Sequence, residues 1–243
     1  MAKKQQQRPT CMFCGSSEPV TKEHIFRSSW KKNLEVNQDL VLLPGVERKF
    51  RRYRQDDGSM VRDTSEDLFS VIVKRVCAPC NNKWMNDLDS IVEPWVFNPD
   101  DDDNRCDPNE FRRWAIKVAL LRIHYDAPMA VEPEDPPRIY AGEDIPEWHV
   151  FIGHTAEPEH RHSLCGIGPV QLAIGGKAFG ITQVSWTLGH SLVTALRVHG
   201  IDEVSKNCFL NFRQYNGVRR GVVREVTPTA TEMRLFRVGR GLV

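Results

Sequence analysis

The sequence predicts an α+β chain in which a small metal-binding module precedes a mixed α+β domain with a mostly antiparallel sheet. Three observations carry this reading. Two Cys-x-x-Cys pairs, Cys11 with Cys14 and Cys77 with Cys80, bracket the first part of the chain. The acidic, proline-containing stretch FNPDDDDNRCDPNE has no apolar periodicity and reads as a linker. Beyond about Arg138, apolar residues alternate or run in short blocks between Gly, Pro and Asn breaks, the pattern of strands.

With 243 residues, 40% of them apolar, the chain can bury both a small module and a larger domain. The expected units are residues 1–98 and residues 107–243. Lys and Arg number 33 against 32 Asp and Glu, so bulk charge announces neither a polyanion binder nor a membrane-surface protein. Up to Asn98 there are 16 basic and 13 acidic residues, a balance of +3; after it, 17 and 19 give −2. This mild asymmetry favours the first part as the face for a polyanion. No apolar signal segment precedes Cys11, and no run approaches about 18 apolar residues, so the expected setting is the cytoplasm, without a membrane partner.

The opening residues, 1–9, are polar and Gln-rich and read as a lead-in, although a basic arm of this kind also suits phosphate contacts. From Cys11 to about Val96 the chain reads as one compact module. After Cys80, the residues Trp84, Met85, Leu88, Ile91 and Val92 recur at one-face helical spacing, with Asn82, Lys83, Asn86, Asp87 and Asp89 turned elsewhere. Cys80 and Asn81 therefore sit at a helix N-terminus, where backbone dipoles favour an anion. Asp107 can cap a second helix, Pro108 suits its first position and Glu110 completes a capping-box-like arrangement. Phe111, Trp114, Ala115, Val118 and Leu121 then share one face, which predicts an amphipathic helix to about Asp126. DAPMAVEPEDPP is too rich in proline to be regular, and RIY, WHVFIGH, VQLAIGG, AFGITQVSWTL, SLVTALRV, CFLNFRQY and GVVREVT read as strands.

Each Cys-x-x-Cys pair can place two thiolates on one edge of a tetrahedral zinc ion, and the two together close a four-cysteine site. The long segment between them makes spacing alone less specific, and redox or unrelated cysteines are the other reading. Seven cysteines in a reducing compartment do not suggest a disulfide framework, and Cys106, Cys165 and Cys208 read as isolated core or linker thiols. Just after the first pair lie Glu23 and His24. A hard cation such as magnesium takes oxygen ligands, which Glu23 and the Asn81 side-chain carbonyl supply, and His24 could serve as a base that deprotonates water. Taken alone, a Glu-His dipeptide is more often a solvated pair.

The ordered set CxxCG, EHIF and CxxCN followed by a helix resembles the HNH endonuclease family in its zinc-stabilised form. The resemblance covers about residues 8–95. It implies a treble-clef or ββα-metal module in which the acidic-His dipeptide starts a β-hairpin and the second pair opens the helix. It implies Cys11, Cys14, Cys77 and Cys80 as structural zinc ligands and His24 as general base. Glu23 and Asn81 would be ligands of a catalytic magnesium or manganese ion, with Asn82 a weaker candidate. The activity implied is hydrolysis of DNA phosphodiester bonds, in phage or anti-phage biology. The sequence departs from the family in having Glu23 where many relatives carry Asp, in offering both Asn33 and Asn37 for the central asparagine, and in an expanded hairpin.

That expansion carries Arg48, Lys49, Phe50, Arg51, Arg52, Tyr53 and Arg54, a basic run interleaved with aromatics. Arginines there suit phosphate contacts and the rings suit stacking; a strand with a solvated basic face is the plainer reading. His149, His154, His160 and His162 read as belonging to a polar inter-strand region rather than a second metal cluster, and His124, His190 and His199 as structural. The alternative to a nuclease is a catalytically inactive zinc module that acts as a nucleic-acid or protein-binding adaptor. Residues 107–243 contain no phosphate loop or nucleophile elbow, and their expected role is targeting or binding a protein partner.

Overall fold

The computed structural model describes residues 9–32, 50–53, 60–64, 68–97, 106–154, 170–174, 177–188, 191–199 and 223–226. Expectations placed on Asn33, Asn37, Arg48, Lys49, Arg54, His160, His162, Cys165, His190 and Cys208 lie outside the described residues. The chain is mixed α+β, and the strands of its sheets pair antiparallel.

The first Cys pair forms a tight turn. Cys11 N–H donates to the Ser16 carbonyl at 2.8 Å and Gly15 N–H to the Cys11 carbonyl at 3.0 Å. Gly15 adopts φ +70°, a conformation that favours glycine and lets the chain reverse after Cys14. Strand β1 (Val20–His24) then pairs with β4 (Ile72–Cys77), with Val20 opposite Cys77 and His24 opposite Ile72. Met12 N–H donates to the Arg75 carbonyl, which ties the turn to this pair. The register shifts between Thr21 and Glu23, an irregularity of the kind that re-aims side chains. Between the two strands, β2 (Phe50–Tyr53) and β3 (Met60–Thr64) form a separate hairpin.

Helix α1 (Ala78–Cys80) starts directly after β4 and runs through a π turn, Asn81–Met85, into α2 (Asn86–Phe97). The helix thus begins before Asn81, and the Asn81 backbone N–H is spent on the Ala78 carbonyl. The expected anion site at that amide is therefore absent: the second Cys pair brackets the first turn instead of preceding it. Met85, Leu88 and Val92 are buried as the spacing predicts, while Ile91 is exposed and Asp89 is buried.

Helix α3 (Pro108–Asp126) starts where the sequence places it, with Asp107 Oδ1 accepting from Asn109 N–H at 2.7 Å and Pro108 in the first turn. Its expected amphipathicity is corrected. Arg112, Ile116, Lys117, Leu120 and Arg122 are buried along with the apolar face, because α3 packs against α2 and β4 on one side and the large sheet on the other. A central helix has no solvent face to keep polar. RIY is helical rather than a strand, lying in α4 (Asp135–Ala141). Pro136 and Pro137 in its first turn supply helical φ values, and Gly142 at φ +77° ends it.

The sheet has strand order β6-β7-β8-β5-β9, built from β5 (Trp148–His154), β6 (Val170–Ile174), β7 (Lys177–Leu188), β8 (Ser191–His199) and β9 (Val223–Val226). One buried cluster runs from Cys11 and Phe13 through α3 into this sheet. Its junction is aromatic: Phe26 lies 6.4 Å from Trp114 and 6.0 Å from Trp186, and the two tryptophans lie 5.9 Å apart. Tilted and edge-on pairs of this kind add about 0.5–1.5 kcal/mol each beyond area burial. Among the described residues, no helix is long and apolar enough to cross a membrane.

Candidate active site

The four cysteines of the two pairs converge. The sulfurs of Cys11, Cys14, Cys77 and Cys80 all lie within 4.8 Å of one another, and Cys14 Sγ is 3.6 Å from Cys77 Sγ. Thiolates about 2.3 Å from a tetrahedral zinc ion are separated by just under 4 Å, so the cluster can hold one zinc ion. Burial pushes the Cys11 thiol up, but backbone N–H groups of Cys14, Cys77 and Phe13 outweigh it and bring Cys11 to about 7. Burial raises Cys77 and Cys80. Without a cation these last two stay protonated; a cation is what makes four thiolates in one place favourable. Cys106 stands apart, its thiol pushed up to about 12 by burial and by Asp107 and Glu110.

Beside this cluster lies an open cleft of about 160 Å³, lined by Lys22, Glu23, His24, Arg27, Ser28, Ser29, Asn81, Asn86 and Asp89. The three residues expected at a catalytic centre thus face one space. Glu23 and His24 reach it from the end of β1, and Asn81 from the start of the π turn. Asn82 is exposed and does not line the cleft. Arg51 and Arg52 lie on β2.

Glu23 is 5% exposed, and among the described residues its carboxylate has neither a hydrogen bond nor an ion pair. Burial raises it to about 7; Lys117 and Arg27 pull the other way, and Asp89 adds to the rise. A buried carboxylate at the wall of an open cleft, without a partner among the described residues, is chemically able to donate oxygen to a hard cation.

Asn81 is oriented by a relay. Its Nδ2 donates to Thr21 Oγ1 at 3.1 Å, and the Thr21 hydroxyl donates to the Val76 carbonyl at 3.0 Å. The hydroxyl proton is committed to an oxygen that only accepts, so Thr21 must receive from Asn81. That fixes which end of the amide meets Thr21 and leaves Oδ1 as the end free for a ligand.

The sequence reading missed Lys22, Arg27, Ser28, Ser29, Asn86 and Asp89. Asn81 and Asn86 are five residues apart, which in a regular α-helix separates them by about 140°. The kink at Lys83 (φ −113°, ψ −105°) breaks the regular helical period between them, and both line the cleft. No periodicity written with a single helical period shows this. Asn86 is tied to Arg27, which donates to its side-chain and backbone oxygens and also to Glu93 Oε2 at 3.0 Å. Asp89 Oδ1 accepts from Trp114 Nε1 at 2.9 Å and from Lys117 Nζ at 2.5 Å, and its Oδ2 lies 3.9 Å from Arg27 Nε.

A second polar network lies under the large sheet. Asp135, with 0% exposure, accepts from Trp148 Nε1 at 2.8 Å and from Arg197 Nε and Nη2 at 2.5 and 3.2 Å. His199 joins it through Glu132 Oε1 at 2.9 Å and Thr182 Oγ1 at 2.7 Å. Thr182 sits in mid-strand opposite Arg197, so this group joins strands to α4. His124, whose imidazole is lowered by burial and by Arg75, lies on α3 away from the cleft. Compared with protein-family models, with curated proteins and with solved structures, the chain matched none.

Proposed function

We propose that the chain is a metal-dependent endonuclease that hydrolyses DNA phosphodiester bonds, on a zinc-stabilised treble-clef or ββα-metal module of HNH type. The observation that carries this is the convergence of Glu23, His24 and Asn81 on one cleft beside a four-cysteine cluster. The residues fit a hard divalent cation: a buried carboxylate without a partner and an amide oxygen turned free by the Thr21 relay form an all-oxygen donor set. A magnesium or manganese ion bound there would neutralise charge on the scissile phosphate and the leaving oxygen.

The chain's own groups supply the rest. His24, half-buried at the cleft, takes the proton from the attacking water. Lys22 and the exposed hydroxyl residues Ser28 and Ser29 line the same cleft and offer donors to phosphate oxygens. Zinc at the four cysteines would hold the scaffold and take no part in the chemistry. The arginine-containing strand β2 lies in the segment between the two Cys pairs and would extend the phosphate contacts of the module.

The test is cleavage of supercoiled plasmid by purified, zinc-loaded protein with magnesium or manganese, beside His24→Ala with matched zinc content. Cleavage by the wild type that drops by at least about a hundredfold in the variant supports the reading. Absence of cleavage by wild type on double-stranded, single-stranded and RNA substrates overturns it in favour of a zinc adaptor.

A further inference from the structure

Lys117 belongs to α3, outside the cysteine-bracketed segment, yet its side chain ends behind the cleft. It has 0% exposure, and its ammonium lies 2.5 Å from Asp89 Oδ1. An ammonium taken fully out of water is unfavourable unless it is paired, and a helix packed on all sides could carry leucine at this position at no such cost. The charge is therefore retained for what it does to the carboxylates beside it.

Those carboxylates are not equivalent. Asp89 Oδ1 receives from both Trp114 and Lys117, which are three residues apart on one face of α3, and its Oδ2 faces Arg27. Glu23, in the same wall, has no hydrogen bond or ion pair among the described residues. One acid is saturated by donors and cations; the other is left open.

We propose that Lys117 is a positioning residue: by holding Asp89, it keeps that carboxylate out of the cation's ligand set, so that the cation sits against Glu23 and Asn81, beside His24. This rests on the nuclease reading, and it makes α3 part of the active site in addition to any targeting role of residues 107–243. Without the ammonium, Asp89 competes for the cation and draws it away from the base. Affinity then rises while turnover falls, a pair of opposite signs that simple loss of packing does not produce.

The experiment uses full-length, zinc-loaded wild type, Lys117→Met, the double variant Asp89→Asn with Lys117→Met, and His24→Ala. Manganese affinity is read by electron paramagnetic resonance, single-turnover plasmid cleavage at saturating manganese, and folding by thermal unfolding. Lys117→Met is expected to bind manganese about tenfold tighter and to cleave at least about tenfold more slowly. The double variant, which removes both members of the buried Asp89–Lys117 pair together, is expected to return manganese affinity to within about threefold of wild type. If Lys117→Met does not fold, the double variant decides alone, and manganese binding more than tenfold away from wild type overturns the proposal. Unchanged or weaker manganese binding by folded Lys117→Met also overturns it, even where wild-type cleavage depends on His24. If wild type does not cleave but the affinity changes appear, the nuclease reading fails and the role of Lys117 at the cation site stands.

Discussion

On the nuclease reading, replacing Glu23 by glutamine should stabilise the protein while abolishing cleavage. The side chain is 5% exposed and burial raises it from an ordinary 4.5 to about 7. Between those values the folded chain holds a proton that the unfolded chain has released, so stability falls as pH rises through the interval. At about 1.4 kcal/mol per unit, the wild type loses about 3 kcal/mol between pH 4.5 and pH 7 and stays at that lower level above it. Glutamine keeps the shape and carries no charge, so the variant escapes this loss. Its advantage should be near zero at about pH 4 and approach about 3 kcal/mol at about pH 8, less the desolvation of the new amide.

Urea unfolding of both zinc-loaded proteins at several pH values, without added magnesium or manganese, measures this difference. Saturating manganese should then stabilise the wild type and leave the variant unmoved, since binding to the folded state alone raises stability by mass action. A Glu23→Gln variant that is less stable than wild type at pH 8 would refute the reasoning. Glu23 would then be a structural partner of Lys117 and Arg27, its charge satisfied in the fold rather than held for a cation.

Two further outcomes follow from the same geometry. On the zinc reading, Cys77→Ser should abolish zinc binding, because Cys77 is one of the four converging thiols, and apparent zinc binding energies of about 10–16 kcal/mol are folding energies. Colorimetric zinc analysis should read less than one ion per chain, and the thermal midpoint should fall by about 10 °C or more. Asp135→Asn should lower stability by about 3 kcal/mol, since it leaves the buried Arg197 guanidinium without its main partner. Zinc content and cleavage per folded molecule should stay at wild-type levels; a loss under about 1 kcal/mol in urea unfolding would show that Glu132 alone suffices for Arg197.

The residues most legible in the sequence are those whose chemistry needs only short spacing. The Cys-x-x-Cys turn and Asp107-Pro108 ahead of a helix are each complete within four or five residues, and both form locally; the Glu23-His24 pair, implied to start a hairpin, instead ends β1, whose partner β4 comes from far along the chain. The illegible ones depend on what arrives from elsewhere. Asp89 looks solvated on a helical wheel, yet it is buried because Trp114 and Lys117 come from α3 to meet it. Lys117 itself is indistinguishable from a surface lysine until the sheet covers the far side of its helix. Asn86 departs from the expected face because the wheel assumes one unbroken helix, and the kink at Lys83 interrupts it. In α4 the signal was present: two prolines ahead of a short apolar run and a closing glycine mark a helix start and stop. Proline was read there as a breaker, which holds inside a helix and not in its first turn.

The placement of an asparagine directly after a cysteine of the four-thiol cluster follows from the strand pair that carries both sites. β1 and β4 present Cys77 opposite Val20 at one end and His24 opposite Ile72 at the other. Four residues of strand span about 13 Å, too far for zinc at the cysteines to reach a phosphate bound beside His24. The two sites are therefore chemically separate, and position is what passes between them. Cys80 fixes the start of the helix; the next residue, Asn81, enters the cleft; and Thr21, on the other strand, sets its amide through a hydroxyl already committed to Val76. A zinc ion that only held the module together would still govern the second site. Its loss would free the helix start, and the asparagine oxygen would no longer stand where Glu23 can share a cation with it.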